Sequence, residues 1–305
     1  MSDDALVPGP HPNPSLRVEG SGSPCLLGLV GRGILKSKSR SLHENEAAAQ
    51  GFQCVYELID FDQRGAGNEQ LGAMLSHVEK RGFVGLNVTY PFKQAVIPLL
   101  DELSPEAQAI GAVNTVHFQG GRRIGYNTDA RGFAESFRRG LAGALLSNVL
   151  QLGAGGAGAA TAFALLELGV QQLTLIDTDF ARASSLANGL ASHFADRDVR
   201  AVHERELART VATAEGVVNS TPMGMANHPG SALPSGLLRS DLWVAEIVYV
   251  PLETQFLRAA RTAGCRTLDG SGMVVYQAAK AFEIFTGRVA DGGRMRRHFE
   301  KIKGG

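Results

Sequence analysis

The chain has 305 residues, 44% of them apolar and 20% charged, and its 30 basic and 30 acidic residues give a net charge of zero. Those proportions exclude a wholly disordered chain, and the balance lacks the basic excess of a duplex-binding protein, so no nucleic-acid partner is expected. No run of 18 apolar residues marks a membrane span, so no membrane partner is expected either. The opening stretch 1–24, MSDDALVPGPHPNPSLRVEGSGSP, lacks the basic start and apolar centre of a signal peptide. It reads as a disordered tail rich in Pro, Gly and Ser. Cys25, Cys54 and Cys265 are odd in number, far apart in sequence and without a C-x-x-C pair. They read as small buried hydrophobes in a reducing cytosol, which excludes a disulfide framework and a structural zinc site. A cytoplasmic location follows from the same observations.

After the tail, 25–30 (CLLGLV) reads as a short buried strand ended by Gly31, and helical material follows at 42–49. The stretch 55–60 (VYELID) is strand-like. Leu71, Met74, Leu75 and Val78 recur at i, i+3, i+4 and i+7, one face of a helix. A strand at 83–88 (FVGLNV) precedes Pro91, placed where a helix begins. A helix opened by Pro105 precedes a further strand at 112–116. The second half repeats the rhythm. Strands at 148–152 (NVLQL), 172–177 (QLTLID), 216–219 and 243–248 alternate with helices at 159–168 and 254–263. A short strand at 267–268 and an apolar-striped helix at 274–286 close the chain. Alternating strands and helices imply βαβ units and mostly parallel sheets, an α/β fold.

Gly153-Ala154-Gly155-Gly156-Ala157-Gly158 fits G-x-G-x-x-G between a strand and a helix, with Asp177 ending the next strand 19 residues later. Gly153 permits the tight turn, Gly155 lets the backbone approach a pyrophosphate, and Gly158 lets helix and strand pack closely. The helix start offers unpaired N–H groups to phosphates. Asp177 can accept from the adenosine ribose hydroxyls and repels a 2′-phosphate, favouring NAD over NADP, and Asp179 adds a second negative charge. Arg182, which could hold a 2′-phosphate, reads as a solvated helix residue.

Polar residues gather at strand ends in the first half. Ser37 and Ser39 flank Lys38 in a loop, Asn87 and Thr89 share a face at the end of a strand, and Lys93 enters the helix after it. Asn114 and Asp129 lie in GAVNT and NTD. Parallel sheets collect such residues in one crevice. Taken singly, each has an ordinary alternative as a cap or a solvated charge. His43 reads as a packing or capping residue.

Together these segments resemble the shikimate dehydrogenase family, closest to its NAD-dependent quinate/shikimate branch, from about residue 25 to 299. The matching stretches are SKS at 37–39, NVTYPFK at 87–93, GAVNT at 111–115, NTD at 127–129 and GAGGAG at 153–158. NSTPMGM at 219–225, VYVPLET at 248–254 and GMVVYQAAKAFEIFTG at 272–287 extend them. The resemblance implies two domains: a mostly parallel α/β substrate domain (25–128 plus 270–305) and a Rossmann-like NAD-binding domain (129–269), with a cleft between them. It implies that Ser37 and Ser39 hold a substrate carboxylate and that Asn87, Thr89, Asn114 and Gln277 bond ring hydroxyls. Lys93 and Asp129 would be the catalytic pair, with Tyr249 lining the cleft and Gly270 at the nicotinamide end of the cofactor. The implied reaction is NAD-dependent oxidation of shikimate, extended to quinate, without a metal. The rivals are a dehydrogenase of a related cyclitol acid such as an aminoshikimate, and an inactive NAD- or metabolite-sensing relative. The chain departs from NADP-using members, which resemble N-R-T where it has Asp177-Thr178-Asp179. It also carries Arg40 where a Pro often follows S-x-S. The sequence does not specify an oligomeric state.

Overall fold

The computed structural model describes residues 23–303, so the expected tail lies, up to residue 22, outside the described residues. The first half contains β1 (Cys25–Gly31), α1 (Ser39–Ala49), β2 (Cys54–Asp60), α2 (Leu71–Lys80) and β3 (Phe83–Val88). It continues with α3 (Phe92–Ala95), β4 (Glu102–Leu103), α4 (Pro105–Ile110), β5 (Thr115–Gln119) and β6 (Arg122–Tyr126). These strands form one sheet in the order β2-β1-β3-β5-β6-β4. Three of its five pairings are parallel; β3–β5 and β5–β6 are antiparallel.

The antiparallel insertion departs from the simple βαβ rhythm. The strand expected at 112–116 starts only at Thr115, because the Val113 amide donates to the Lys93 carbonyl within α3. β6 went unrecognised, although Gly120-Gly121 is a strong hairpin signal. Both glycines have positive φ (60° and 75°), as a two-residue hairpin turn requires.

α5 (Thr128–Gly140) leads to a second sheet. It is built from β7 (Asn148–Leu152), α6 (Gly156–Glu167), β8 (Gln172–Ile176), α7 (Phe180–His193), β9 (Asp198–Ala201) and α8 (Leu207–Thr213). β10 (Gly216–Asn219), β11 (Trp243–Glu246), α9 (Gln255–Thr262) and β12 (Arg266–Leu268) complete it. Its order is β12-β11-β10-β7-β8-β9, and every pairing is parallel. β7 is the point where the order reverses, and ligand crevices of open α/β sheets lie at such points. α6 is apolar nearly all round and buried from Gly158 to Leu166, since its sheet and α5 cover it on both sides.

α10 (Ser271–Thr286) and α11 (Gly292–Ile302) return to the first sheet. Ala281 and Phe285 pack with Cys25, Leu27, Leu29 and Tyr56 of β1 and β2. α10 crosses α5 at Gly132, where an added Cβ would lie 2.6 Å from the Gln277 amide nitrogen. Any larger residue there would push Gln277 away from α5. The three cysteines are free thiols; Cys25 and Cys265 are buried, as expected, whereas Cys54 is only half-buried. Cys25 and Cys54, distant in sequence, are in-register neighbours on β1 and β2.

Candidate active site

Lys93 and Asp129 meet in space. Lys93 Nζ donates to Asp129 Oδ2 at 2.6 Å, and both side chains are largely shielded from solvent. Asp129 sits in the first turn of α5, where the helix dipole favours a carboxylate. Asn127 caps that helix by accepting from the Asp129 and Ala130 amides, and its Nδ2 donates to the Ala112 carbonyl. The NTD segment is thus a cap that aims an acid. Tyr249 joins this corner: burial, and then the Asp129 charge, push its phenol above its ordinary value.

Asn87, Asn114 and Gln277 fall into one polar layer, connected through Thr115 and Thr128. Asn114 Nδ2 donates to Thr128 Oγ1 at 2.9 Å, and Thr128 Oγ1 lies 3.4 Å from Gln277 Oε1. Ser37 and Ser39 are 3.2 Å apart through their hydroxyls. Thr89 is placed by the hydrogen bond its amide donates to the Val30 carbonyl, and Gly31 leaves room for its methyl. Tyr56 was not anticipated. Its hydroxyl donates to Asn87 Oδ1 at 2.8 Å, and burial pushes its phenol above the ordinary value against a weaker opposing pull from Ser39. The signal was available: a Tyr at an inward-facing strand position needs a partner for its hydroxyl. His43 is fully buried, stacked on Tyr56 with ring centroids 4.8 Å apart, and neither ring nitrogen has a partner in the protein. Packing, as expected, is its role. Arg40 is exposed and donates to the Tyr56 carbonyl, which ties it to the backbone of β2.

The glycine turn follows the local logic read from its spacing. Gly153 has φ 96°, and a Cβ there would lie 2.7 Å from Ser220 backbone atoms. A Cβ on Gly158 would strike the Gly153 carbonyl. Gly155 is different: it is exposed, with nothing within 4 Å of a Cβ, so the approach to the α6 N-terminus is open. The chemistry of this cradle, open backbone amides with a carboxylate beside them, fits a dinucleotide. Gln151, missed by sequence reading, fastens the turn by donating to the Gly153 and Gly158 carbonyls at 2.9 and 2.8 Å. Gly156 borders Lys93, 3.6 Å from an added Cβ to Lys93 Cδ, so the glycine turn and the Lys93–Asp129 pair face one space. Gly270 lies at the start of α10 against the Ile247 and Val248 carbonyls, which leave no room for a side chain.

Asp177 accepts from the Ala154 amide at 2.7 Å and from the Asp179 amide at 2.9 Å. Arg182 is not the free helix residue that its position suggested. It folds back on Asp177 at 2.7 Å. Partial burial opposes the charge on Asp177, but Arg182 and the two amides outweigh it and hold the carboxyl below its ordinary value. A second acid behind the turn was also missed. Glu246, buried at the end of β11, accepts from Asn219 Nδ2, Thr254 Oγ1 and the Val248 amide. Burial pushes its carboxyl up to about 7. A separate cavity of about 380 Å³ lies at the far end of α5, lined by Phe137, Arg138 and Leu141 among others, and contains none of these groups.

Comparison with known proteins places this arrangement. Residues 29–116 match the shikimate dehydrogenase substrate binding domain, and residues 270–298 match the shikimate 5′-dehydrogenase C-terminal domain. The chain is 52% identical to a shikimate dehydrogenase (NADP(+)) of Streptomyces avermitilis, covering 92% of this chain and 96% of that protein. It is 46% identical to a quinate/shikimate dehydrogenase (NAD(+)) of Corynebacterium efficiens, covering 90% and 97%. Quinate dehydrogenase from Corynebacterium glutamicum, solved in complex with NAD, superposes with a TM-score of 0.86 at 45% identity, over 91% of this chain and 99% of that one.

Proposed function

The chain belongs to the shikimate dehydrogenase family, and from that premise we propose that it oxidises the ring hydroxyl of shikimate, and of quinate, with NAD as hydride acceptor. The observation that carries the reading is the Lys93–Asp129 pair at 2.6 Å, set between the amide-rich layer of Asn87, Asn114 and Gln277 and the open glycine turn. A sensing relative has no need of an aligned acid/base pair facing its cofactor cradle.

In this reading Ser37 and Ser39 hold the substrate carboxylate, and Asn87, Thr89, Asn114 and Gln277 hold the hydroxyls. Lys93 takes the proton of the reacting hydroxyl, and Asp129 orients Lys93 and bonds the same hydroxyl. NAD, when bound, supplies the hydride-accepting ring. Gly153 to Gly158 would carry its pyrophosphate, Asp177 its adenosine ribose, and the Gly270 region the nicotinamide end. Tyr249 closes the cleft beside Asp129. The domain assignment proposed is 25–128 plus 270–305 for the acid and 129–269 for NAD. A cytoplasmic location fits three cysteines that are all free thiols. The test is an initial-rate matrix of shikimate and quinate against NAD and NADP. Turnover of either acid with NAD is the expected result, and no turnover of either acid with either cofactor would overturn the proposal.

A further inference from the structure

Two buried amides at the substrate end have no freedom in how they face the cleft, and a residue outside the resemblance motifs completes the bonding of one of them. At Asn87, Nδ2 lies 3.3 Å from the Asn114 carbonyl and 3.0 Å from Thr115 Oγ1. A carbonyl only accepts, so the nitrogen must point there, and both of its hydrogens are used. Oδ1 therefore faces Tyr56, whose hydroxyl donates to it at 2.8 Å, and one lone pair of Oδ1 remains. At Asn114 the situation is reversed. The Thr128 amide, which only donates, lies 2.7 Å from Oδ1, and Thr115 Oγ1 donates to the same oxygen at 3.0 Å. Nδ2 spends one hydrogen on Thr128 Oγ1 and keeps one.

We infer that Tyr56 is a positioning residue of the substrate subsite: it holds the Asn87 oxygen that the Asn114 carbonyl has already turned toward it, leaving one lone pair for a ligand, while the Thr128 amide fixes Asn114 as a donor. A ring hydroxyl at Asn87 must then donate, and one at Asn114 must accept. The inference rests on the substrate reading given above.

Tyr56→Phe keeps the ring stacked on His43 and removes only the hydroxyl. A lost neutral hydrogen bond predicts a roughly tenfold rise in KM and in the calorimetric Kd for the acid, with KM for NAD and the melting temperature little changed. Because Tyr56 acts through Asn87, Tyr56→Phe added to Asn87→Ala should cost nothing beyond Asn87→Ala alone. Thr115→Val, which removes the Oγ1 that takes an Asn87 hydrogen and donates to Asn114 Oδ1, should show the same split and serves if Tyr56→Phe folds poorly. An unchanged Kd for the acid, KM values for acid and NAD rising in step, or additive losses in the double variant would each overturn the role. If the wild-type protein binds neither shikimate nor quinate, the substrate reading falls and takes this inference with it. If the wild type binds and Tyr56→Phe binds equally well, only this inference falls.

Discussion

In the proposed NAD site, cofactor choice would rest on three residues, Asp177, Thr178 and Arg182; sequence identity does not settle it, since similar relatives carry names for NADP and for NAD alike. With NADP, a 2′-phosphate would approach Asp177, whose side chain is only 8% exposed. Like charges ~4 Å apart repel by about 4 kcal/mol at an effective dielectric near 20. Arg182, bound to the same carboxylate at 2.7 Å, offsets most of that, although its side chain is 49% exposed and screened by salt. What remains is the charge-assisted hydrogen bond from the ribose 2′-hydroxyl to Asp177, worth about 1.5–3 kcal/mol and missing with NADP. The wild-type enzyme should therefore prefer NAD by roughly tenfold to hundredfold in kcat/KM. Arg182→Leu should leave NAD use nearly intact and lower NADP use by a further factor on the order of a hundred, because more than ~2 kcal/mol of repulsion is then uncovered. Asp177→Ala combined with Thr178→Arg should narrow or reverse the preference, since a guanidinium fork suits phosphate. Steady-state rates with both cofactors at saturating acid decide. Equal wild-type kcat/KM for the two, or an Arg182→Leu enzyme with unaltered NADP use, refutes the reasoning.

Lys93→Ala should lower kcat by a factor on the order of 10²–10⁴ with a smaller change in KM; a near-normal kcat in initial-rate assays would remove Lys93 from the chemistry. Ser37→Ala and Ser39→Ala should each mainly raise KM for the acid, by about 0.5–3 kcal/mol; no change in either variant would mean the carboxylate binds elsewhere. Burial holds His43 down to about 3, against a weaker opposing pull from Glu46, so its neutral form belongs to the folded state. Stability from this group is present above its unfolded value near 6.5 and lost as pH falls toward 3, about 2–3 kcal/mol by about pH 4.5; thermal melts of His43→Phe should lack that acid sensitivity. Glu246 has the opposite sign: its folded carboxyl sits near 7, so its contribution is present below about 4.5 and lost as pH rises through 7, about 3 kcal/mol in all. Melts of Glu246→Gln between pH 5 and 8 should be flatter than those of the wild type, and parallel curves would contradict the assignment.

Periodicity and punctuation made most of the elements legible. The helix marked by Leu71, Leu75 and Val78 is α2, and those three residues are its buried face. The second sheet reads well because its strands are buried on both faces and form short continuous apolar runs. β4 has two residues and β9 is half exposed, too short or too polar to show a pattern. The β5–β6 hairpin interrupts a parallel rhythm and was concealed by it, although its Gly-Gly turn was in plain sight. Asn114 belongs to the lead-in of that hairpin, and its position depends on a register that no local pattern reveals.

The groups of the site were legible to different depths for a physical reason. A glycine turn is specified by its own neighbours: positive φ at Gly153 and close approach at Gly158 are local demands, so the spacing discloses them. The residues that hold the turn and the amides are specified by what they touch across the fold. Gln151 reaches Gly158, Glu246 reaches Asn219 and Thr254, and Tyr56 reaches Asn87 from another strand. None of these contacts leaves a trace in local spacing, only a buried polar side chain that demands a partner. Arg182 illustrates the cost of ignoring that demand. Read alone, five residues past Asp177 on a helix, it is a solvated cation; in the fold, one turn of α7 turns it onto the carboxylate whose charge was to select the cofactor. On the proposed reading any selectivity would belong to the pair, and a change at either member must be read through the other.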